Sequence, residues 1–435
     1  MIERLKDLAR RRLVRNILAL YGVQFTNRVL PFIVIPFLTR VLGPTGFGLY
    51  AFAQALAVYL TIVAEYGFEM AGARAVARDR EDRRRLGQLV AGALIVQLIL
   101  ALMVAAIGLI LGHLVPEFRG TPALLVAALA FAVCQGFNPV WYFVGQERVP
   151  VIAAIDAGAK VLATIAIFAL VREPEHAWRA LAAYAGAAAL TTGIGYALVL
   201  REVRPARPSL ALIGSTFRIG FPMFLMRSSV MMHTTGNVFL LGLLAAPAQV
   251  AFFAAAEKLC RPFAWLMQPI NTALLPRLAN LLGHDPARAD RLASLAILFM
   301  VAGAVGLGLG IWLLAPWFLP LYLGPGFERS VAVLQIMAVI VPLIVLNSAL
   351  INQWLVPHGL DWPLNVVIVS GTLLNLALVV TIVPTWQAIG MAWVTVTIEA
   401  YILTGLLIAL RRNGLSPIKL SVLREGIALF ALPRR

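Results

Sequence analysis

The chain is a succession of apolar runs, each about as long as a bilayer is thick, separated by short segments rich in Gly, Pro and charge. An α-helix rises about 1.5 Å per residue, so roughly 20 apolar residues cross the hydrocarbon core. The 435 residues are 61% hydrophobic and 13% charged, whereas soluble domains average about 45–50% and about 25%. The runs lack the alternation of a transmembrane β-barrel. The sequence therefore predicts an all-α polytopic membrane protein.

The apolar runs predict twelve spans in two lobes of six helices. The lobes comprise residues 1–205 and 206–435, and they meet at the basic linker REVRPARPS; the second carries a cytoplasmic tail. A tight Gly/Pro turn, LGPTGFG, joins the first two spans between Leu42 and Gly48. The predicted spans are 16–39, 47–70, 88–112, 122–144, 150–171, 178–200, 216–244, 250–276, 291–315, 331–356, 362–383 and 387–410.

The distribution of Lys and Arg predicts the orientation. With the N-terminus in the cytoplasm, 25 of the 36 basic residues fall in cytoplasmic segments and 5 in outer loops, and the other 6 lie within spans. Cytoplasmic loops carry the excess of positive charge in membrane proteins. We expect both termini on the cytoplasmic side. The net charge of +16 therefore indicates topology and not a nucleic-acid surface.

A shift of 203 residues relates the two halves of the sequence. It places Pro44 on Pro247, Tyr50 on Phe253 and Arg74 on Arg277. Because each half has six spans, both halves enter the membrane with the same orientation. The predicted repeat is therefore parallel, about an axis along the membrane normal, an arrangement that suits alternating access.

Two arginines are predicted near the middle of the membrane. Arg28 lies in the first span with Gln24 and Asn27 on its helix face, and Arg227 has a similar depth in the seventh. A charge at this depth costs about 2.5–3.5 kcal/mol on insertion scales. We interpret each arginine either as a substrate contact or as a partner in hydrogen bonds between helices.

Other charged residues within spans follow a spacing that favours local pairing. Lys160 follows Asp156 by four residues, and Arg261 follows Glu257 by four. An acid four residues before a base is the favourable order for an ion pair within one helix. These residues are therefore either structural pairs or, for the cations, substrate contacts and, for the acids, sites of ion coupling.

Two more charged residues lack such a local partner. Lys258 has no acid four residues away, which makes it a further candidate substrate contact. Glu399 is isolated in the twelfth span. It is either a proton-coupling site or a polar group satisfied by a neighbouring helix.

No constellation of catalytic or cofactor-binding residues is evident. The sequence contains no Walker A motif, no HExxH and no glycine-rich dinucleotide fingerprint. Cys134 and Cys260 both lie in apolar spans, where small buried side chains are expected and a disulfide or metal site is not. We expect a protein that is not an enzyme and that uses no metal or other cofactor.

The order of these features resembles the O-antigen (Wzx-type) polysaccharide flippases of the multidrug/oligosaccharidyl-lipid/polysaccharide exporter superfamily. The resemblance rests on the polar face of the first span, on the Leu-Gly-Pro-x-Gly-x-Gly-x-Tyr segment from Leu42 to Tyr50, and on Tyr66-Gly67-Phe68 followed by Arg74. The segment ending Leu-Pro-Arg-Leu at Leu278 is also similar. The resemblance extends over essentially the whole chain in length and span count.

This resemblance implies two six-helix lobes in a V, as in the related MATE exporters, in a bacterial cytoplasmic membrane. It implies the transfer of undecaprenyl-diphosphate-linked oligosaccharide repeat units to the outer leaflet through a partly cationic cavity, among membrane lipids and other polysaccharide-assembly proteins. Arg28, Arg227, Lys258, Arg261 and Lys160 are the residues that such a cavity would use.

Three alternative functions are compatible with parts of the pattern. A peptidoglycan-precursor flippase shares the chemistry, although such proteins often carry additional spans. A cation-coupled multidrug exporter would favour acids in its cavity, whereas mid-span cations match or outnumber acids here. A membrane enzyme that polymerises or ligates O-antigen would need a sizeable outer loop, and the longest predicted here is about 15 residues, 316–330.

Overall fold

The structure, a computed structural model, consists of helices that pack as two compact units. It describes residues 2–206 and 236–415 and, between these ranges, residues 214, 217, 218, 220, 221, 224, 225, 228 and 231, with side chains from residue 29 onward. The units are Met1–Met231 and Met232–Arg435. Every regular element in these ranges is helical, which confirms the predicted all-α class. The predicted lobe boundary at 205/206 stays a prediction.

Unit 1 (Met1–Met231) is built around α5, which packs against α1 and α8, while α7 packs against α8. A short 3₁₀ turn at Pro174–His176 precedes α8. The helices are α1 (Ile2–Glu65), α2 (Phe68–Arg78), α3 (Arg83–Leu114), α4 (Pro116–Gly120), α5 (Pro122–Gly136), α6 (Val140–Gly145), α7 (Val149–Leu170) and α8 (Ala177–Glu202).

Unit 2 (Met232–Arg435) is built around α14, which packs against α12, α10 and α15. A π-helical segment, Ile351–Leu355, continues α14. The helices are α9 (Gly236–Leu244), α10 (Pro247–Trp265), α11 (Gln268–His284), α12 (Pro286–Leu323), α13 (Arg329–Met337), α14 (Ile340–Leu350) and α15 (Asp361–Arg412).

Eight helical stretches of the described chain are long and apolar enough to cross a membrane. The chain is therefore a multi-pass membrane protein. The last stretch, α15, is 52 residues long and contains a non-helical residue at Gln387, the first residue of the twelfth predicted span. The count of twelve spans stays a prediction. The stretches are Val29–Arg78, Arg83–Leu114, Pro122–Gly145, Val149–Leu170, Pro174–Glu202, Pro286–Leu323, Arg329–Leu355 and Asp361–Arg412.

The turn between the first two spans is shorter than the seven residues predicted. The helical path of α1 is interrupted at Gly43, whose φ of 62° and ψ of −179° are non-helical. Glycine adopts a positive φ without a steric penalty. Pro44 follows at once and begins the next helical segment, where its missing N–H has no helical acceptor to lose. A Gly-Pro pair therefore interrupts the helix at a single residue.

Helix caps in the two units occur at corresponding positions. Asp82 caps α3, where its carboxylate accepts hydrogen bonds from the backbone N–H groups of Arg84 and Arg85. Asp285, 203 residues later, caps α12 and accepts from the N–H of Arg288. An aspartate at this position satisfies N–H groups that have no partner within the helix. The same capping device thus recurs at the spacing of the sequence repeat.

Close packing of α5 on α1 leaves no room for a side chain at Gly136. A Cβ added there would lie 2.3 Å from the Cβ of Ala64, whereas one added at Gly158 would have no atom within 4 Å. We expect Gly136→Ala to lower the free energy of unfolding by about 1–3 kcal/mol through overpacking. Gly158→Ala is the matched control. Thermal unfolding of the purified protein in detergent measures both, and equal transition temperatures would contradict this packing.

Candidate functional site

A buried ion pair lies in α10 of unit 2. The Nε of Arg261 donates a hydrogen bond to Oε1 of Glu257 at 2.7 Å. The side chains of Glu257 and Arg261 are only 8% and 14% exposed. This is the pair within one helix that the four-residue spacing indicates. The guanidinium and the carboxylate therefore neutralise each other inside the protein.

The local sequence explains why this pair is buried. Residues 250–257 of α10, which are almost all apolar, are each at most 6% exposed, because the helix packs against α13, α14 and α15. The charged residues Glu257 and Arg261 lie at the end of this segment and just after it, and both side chains are largely buried in the same interior. A charge in such a place is expensive unless it is paired. The packing of α10 therefore requires an acid beside each base.

A second acid joins the pair from another helix. Glu399 of α15 is 8% exposed and lies close enough to Arg261 for a charge–charge interaction. Its Oε2 accepts a hydrogen bond of 2.9 Å from Nδ2 of Asn347, and the same nitrogen donates to the backbone oxygen of Glu399 at 3.1 Å. Asn347 belongs to α14 and lies 52 positions away in sequence, so Glu399 has a polar partner on a neighbouring helix. A role of Glu399 in proton coupling stays a prediction.

Lys258 completes a group of four charges. It is half-buried and interacts with the charge of Glu257, its neighbour in sequence. We call Glu257, Lys258, Arg261 and Glu399, with Asn347, the charged cluster. It contains two acids and two bases and is therefore electrically neutral when all four are ionised.

The other predicted pair forms in unit 1. Nζ of Lys160 lies 2.6 Å from Oδ2 of Asp156, within α7. The two side chains are 38% and 21% exposed, so this pair is more accessible than the one in α10. Lys160 can thus keep its local partner and still reach a second anion.

The remaining predicted site residues lie outside the described side chains. Gln24, Asn27 and Arg28 belong to the part of α1 of which only the backbone is described, and Arg227 lies outside the described residues. Their roles stay predictions.

Uncharged polar side chains form a cluster that the sequence analysis missed. Asn375 donates to Asn237 at 3.0 Å, and Asn237 donates to Thr395 at 3.1 Å. All three are at most 2% exposed. Asn237 belongs to α9, and the other two lie on either side of the break in α15. The sequence did contain a signal for this cluster, because an amide side chain inside an apolar span needs a polar partner.

Comparison with solved structures shows which fold these helices define. The chain superimposes on "Lipid II flippase MurJ, inward closed conformation" with a TM-score of 0.68 at 12% identity, covering 97% of this chain and 94% of that one. It superimposes on an inward-facing multidrug resistance MATE family transporter of the MOP superfamily with a TM-score of 0.61 at 16% identity, covering 94% and 100%. The fold is that of this class of polytopic membrane transporters.

Sequence comparisons identify the family to which the chain belongs within this class of transporter folds. The model of a family described as "Polysaccharide biosynthesis protein" matches residues 13–282, and the chain belongs to that family. A protein of Escherichia coli K12 named "Putative O-antigen transporter" is 26% identical over 407 residues, covering 92% of this chain and 97% of its own length. One of the same name from Shigella dysenteriae is 28% identical over 381 residues, covering 87% and 94%.

Arg261 stabilises the charged cluster by compensating its two acids. We expect Arg261→Met to lower the free energy of unfolding by about 3–5 kcal/mol, because it leaves buried carboxylates without their base. The double variant Glu257→Gln/Arg261→Met should recover part of this loss, since it removes one of those carboxylates. Thermal unfolding of both variants measures the effect. A double variant less stable than Arg261→Met would contradict the pairing.

Proposed function

We propose that the protein is a flippase for lipid-linked oligosaccharides, transferring undecaprenyl-diphosphate-linked repeat units from the inner to the outer leaflet of a bacterial cytoplasmic membrane. The observation that carries this proposal is membership of the polysaccharide biosynthesis family together with basic residues inside the membrane-spanning units. The substrate leaves with all its bonds intact, so the proposal involves no enzymatic step and no cofactor.

The chemistry of the substrate headgroup fits arginine. A lipid diphosphate carries about two negative charges, and the planar guanidinium binds phosphate oxygens through two parallel hydrogen bonds. Glu257 already occupies the Nε of Arg261. We therefore assign the diphosphate to Arg28 and Arg227, with the half-exposed Lys160 as a further contact. The charged cluster is then an ion-coupling element and not a phosphate site.

The membrane potential favours the proposed direction of transfer. An anion that moves outward across an inside-negative membrane gains about 2.3 kcal/mol per charge per 100 mV. We propose that this gain contributes to export, by alternating access through a partly cationic cavity. Protonation of Glu399 or Glu257, and of Asp156 in unit 1, would couple transfer to the proton gradient.

Complementation tests the proposed substrate contacts. The protein is produced in a bacterium that lacks its own O-antigen flippase, and surface polysaccharide is measured at matched membrane levels. We expect the wild type to restore the polysaccharide, and Arg28→Ala and Arg227→Ala to reduce it about tenfold or more, because a charge-assisted hydrogen bond contributes roughly 1.5–3 kcal/mol. The control Arg119→Ala changes an exposed arginine outside the predicted spans, which donates to the backbone oxygen of His113.

Two outcomes would contradict parts of this assignment. Full restoration by both arginine variants would leave the function standing and remove these residues from the site. The wild type could instead fail to restore the polysaccharide and make the same strain more resistant to cationic drugs. That result would contradict the flippase proposal and indicate a multidrug exporter.

The predicted orientation also has a direct test. A single cysteine is placed at Glu117 or at Asn413 in a variant whose Cys134 and Cys260 are replaced by alanine. In intact spheroplasts we expect an impermeant maleimide to label position 117 and to reach position 413 only after permeabilisation, because basic segments remain in the cytoplasm. The reverse labelling pattern would overturn the orientation.

A further inference from the structure

Five polar side chains in unit 2 form a chain of hydrogen bonds that leads from the interior to the surface. We call Gln268, Ser348 and Asn352, with Asn271 and Gln353 behind them, the amide cluster. Gln353 and Asn271 are 2% and 1% exposed. Gln268 is exposed, and Ser348 and Asn352 are half-buried. The cluster therefore has a fixed inner end and an accessible outer end.

The buried amides hold the serine in place. Nε2 of Gln353 donates to Oδ1 of Asn271 at 2.9 Å, and Nδ2 of Asn271 donates to Oγ of Ser348 at 3.0 Å. Gln353 lies in the π-helical segment that continues α14. Single π-helical turns are frequent at functional sites. Asn271 thus holds the serine hydroxyl from the buried side, and Gln353 holds Asn271 in turn.

The serine in turn positions two surface amides. Its Oγ donates to Oε1 of Gln268 at 3.1 Å and accepts from Nδ2 of Asn352 at 3.3 Å. Nδ2 of Asn352 also donates to the backbone oxygen of Ser348 at 2.8 Å. Both amides therefore lie within 3.3 Å of the same hydroxyl oxygen.

Each surface amide retains one unused polar group among the described residues. The Nε2 of Gln268 donates to no acceptor there, and the Oδ1 of Asn352 accepts from no donor. Gln268 and Asn352 together present one uncharged donor and one uncharged acceptor, and both side chains are hydrogen-bonded to Ser348. Neighbouring hydroxyls of a sugar need such a pair, since each hydroxyl both donates and accepts.

The ends of the helices indicate that the cluster lies near a membrane edge. Asn352 lies three residues before the end of Arg329–Leu355, one of the stretches that are long and apolar enough to cross a membrane. Trp265, at the end of α10, is 53% exposed and fits the aromatic belt of an interface. Gln268 follows directly. The positive-inside pattern predicts that this edge is cytoplasmic.

We propose that the amide cluster binds sugar hydroxyls of the lipid-linked oligosaccharide at the edge where the substrate is loaded. This inference rests on the proposed function and deepens it by assigning the sugar part of the substrate to unit 2. In this proposal Gln268 and Asn352 distinguish a glycosylated lipid from a bare one.

Equilibrium binding to the purified full chain in nanodiscs tests this assignment. The probes are undecaprenyl diphosphate and the same lipid carrying one E. coli O-antigen repeat unit. We expect the wild type to prefer the glycosylated lipid. Gln268→Leu and Asn352→Leu should weaken its binding about fivefold each, the effect of one lost hydrogen bond, and should leave binding of the bare lipid unchanged.

Two further variants separate the inference from the proposed function. The control Gln335→Leu removes an amide of unit 2 that donates to the backbone oxygen of Trp312, and it should leave both affinities unchanged. Arg28→Ala should weaken both lipids equally, because it removes a phosphate contact. Gln268 lies on the surface, so its variant is expected to fold even if Asn352→Leu does not; thermal unfolding checks this.

The outcomes distinguish the two claims. Equal losses for both lipids in Gln268→Leu, no loss in it, or no preference in the wild type would overturn the sugar site and leave the flippase proposal standing. A wild type that binds neither lipid would contradict the proposed function and the sugar site with it.

Discussion

A charge buried in a membrane protein has to be neutralised by its neighbours, and unit 2 depends on meeting this requirement. The charged cluster does so with two acids and two bases, three of which belong to α10, while the fourth, Glu399, belongs to α15. The side chain of Asn347 then donates a hydrogen bond to the carboxylate of Glu399. Because desolvation of an unpaired ion costs several kcal/mol, the packing of α10, α14 and α15 is tied to the charge balance of this group.

The same requirement divides the basic residues by role. A base that is hydrogen-bonded to one buried acid and interacts with the charge of a second has little charge left for a ligand. Arg261 is in this position. Lys160 is paired but 38% exposed, which leaves it within reach of an incoming anion. In the proposed mechanism, phosphate binding therefore falls to basic residues outside the charged cluster, and the cluster remains free to respond to protonation.

Sequence reasoning predicted features that depend on neighbours along the chain and missed those that depend on distant ones. The all-α class follows from the length of the apolar runs, and the Asp156–Lys160 and Glu257–Arg261 pairs follow from the four-residue spacing within one helix. The contact between Asn347 and Glu399 joins different helices 52 residues apart, and no periodicity reports it. The contact of Gln353 with Asn271 was missed for the same reason, since these two residues lie 82 positions apart.

Transfer of the lipid-linked oligosaccharide between leaflets is the central claim, and it can be measured without a cell. The purified protein is reconstituted into vesicles that contain the undecaprenyl-diphosphate-linked repeat unit, and an impermeant glycosidase digests the sugars that it can reach. In protein-free vesicles the glycosidase should remove only the sugars that face outward from the outer leaflet. The account predicts that vesicles with the protein lose nearly all the sugar, and faster when the potential drives the anion toward the enzyme. Digestion that stops at the outer leaflet's share in both samples would contradict it.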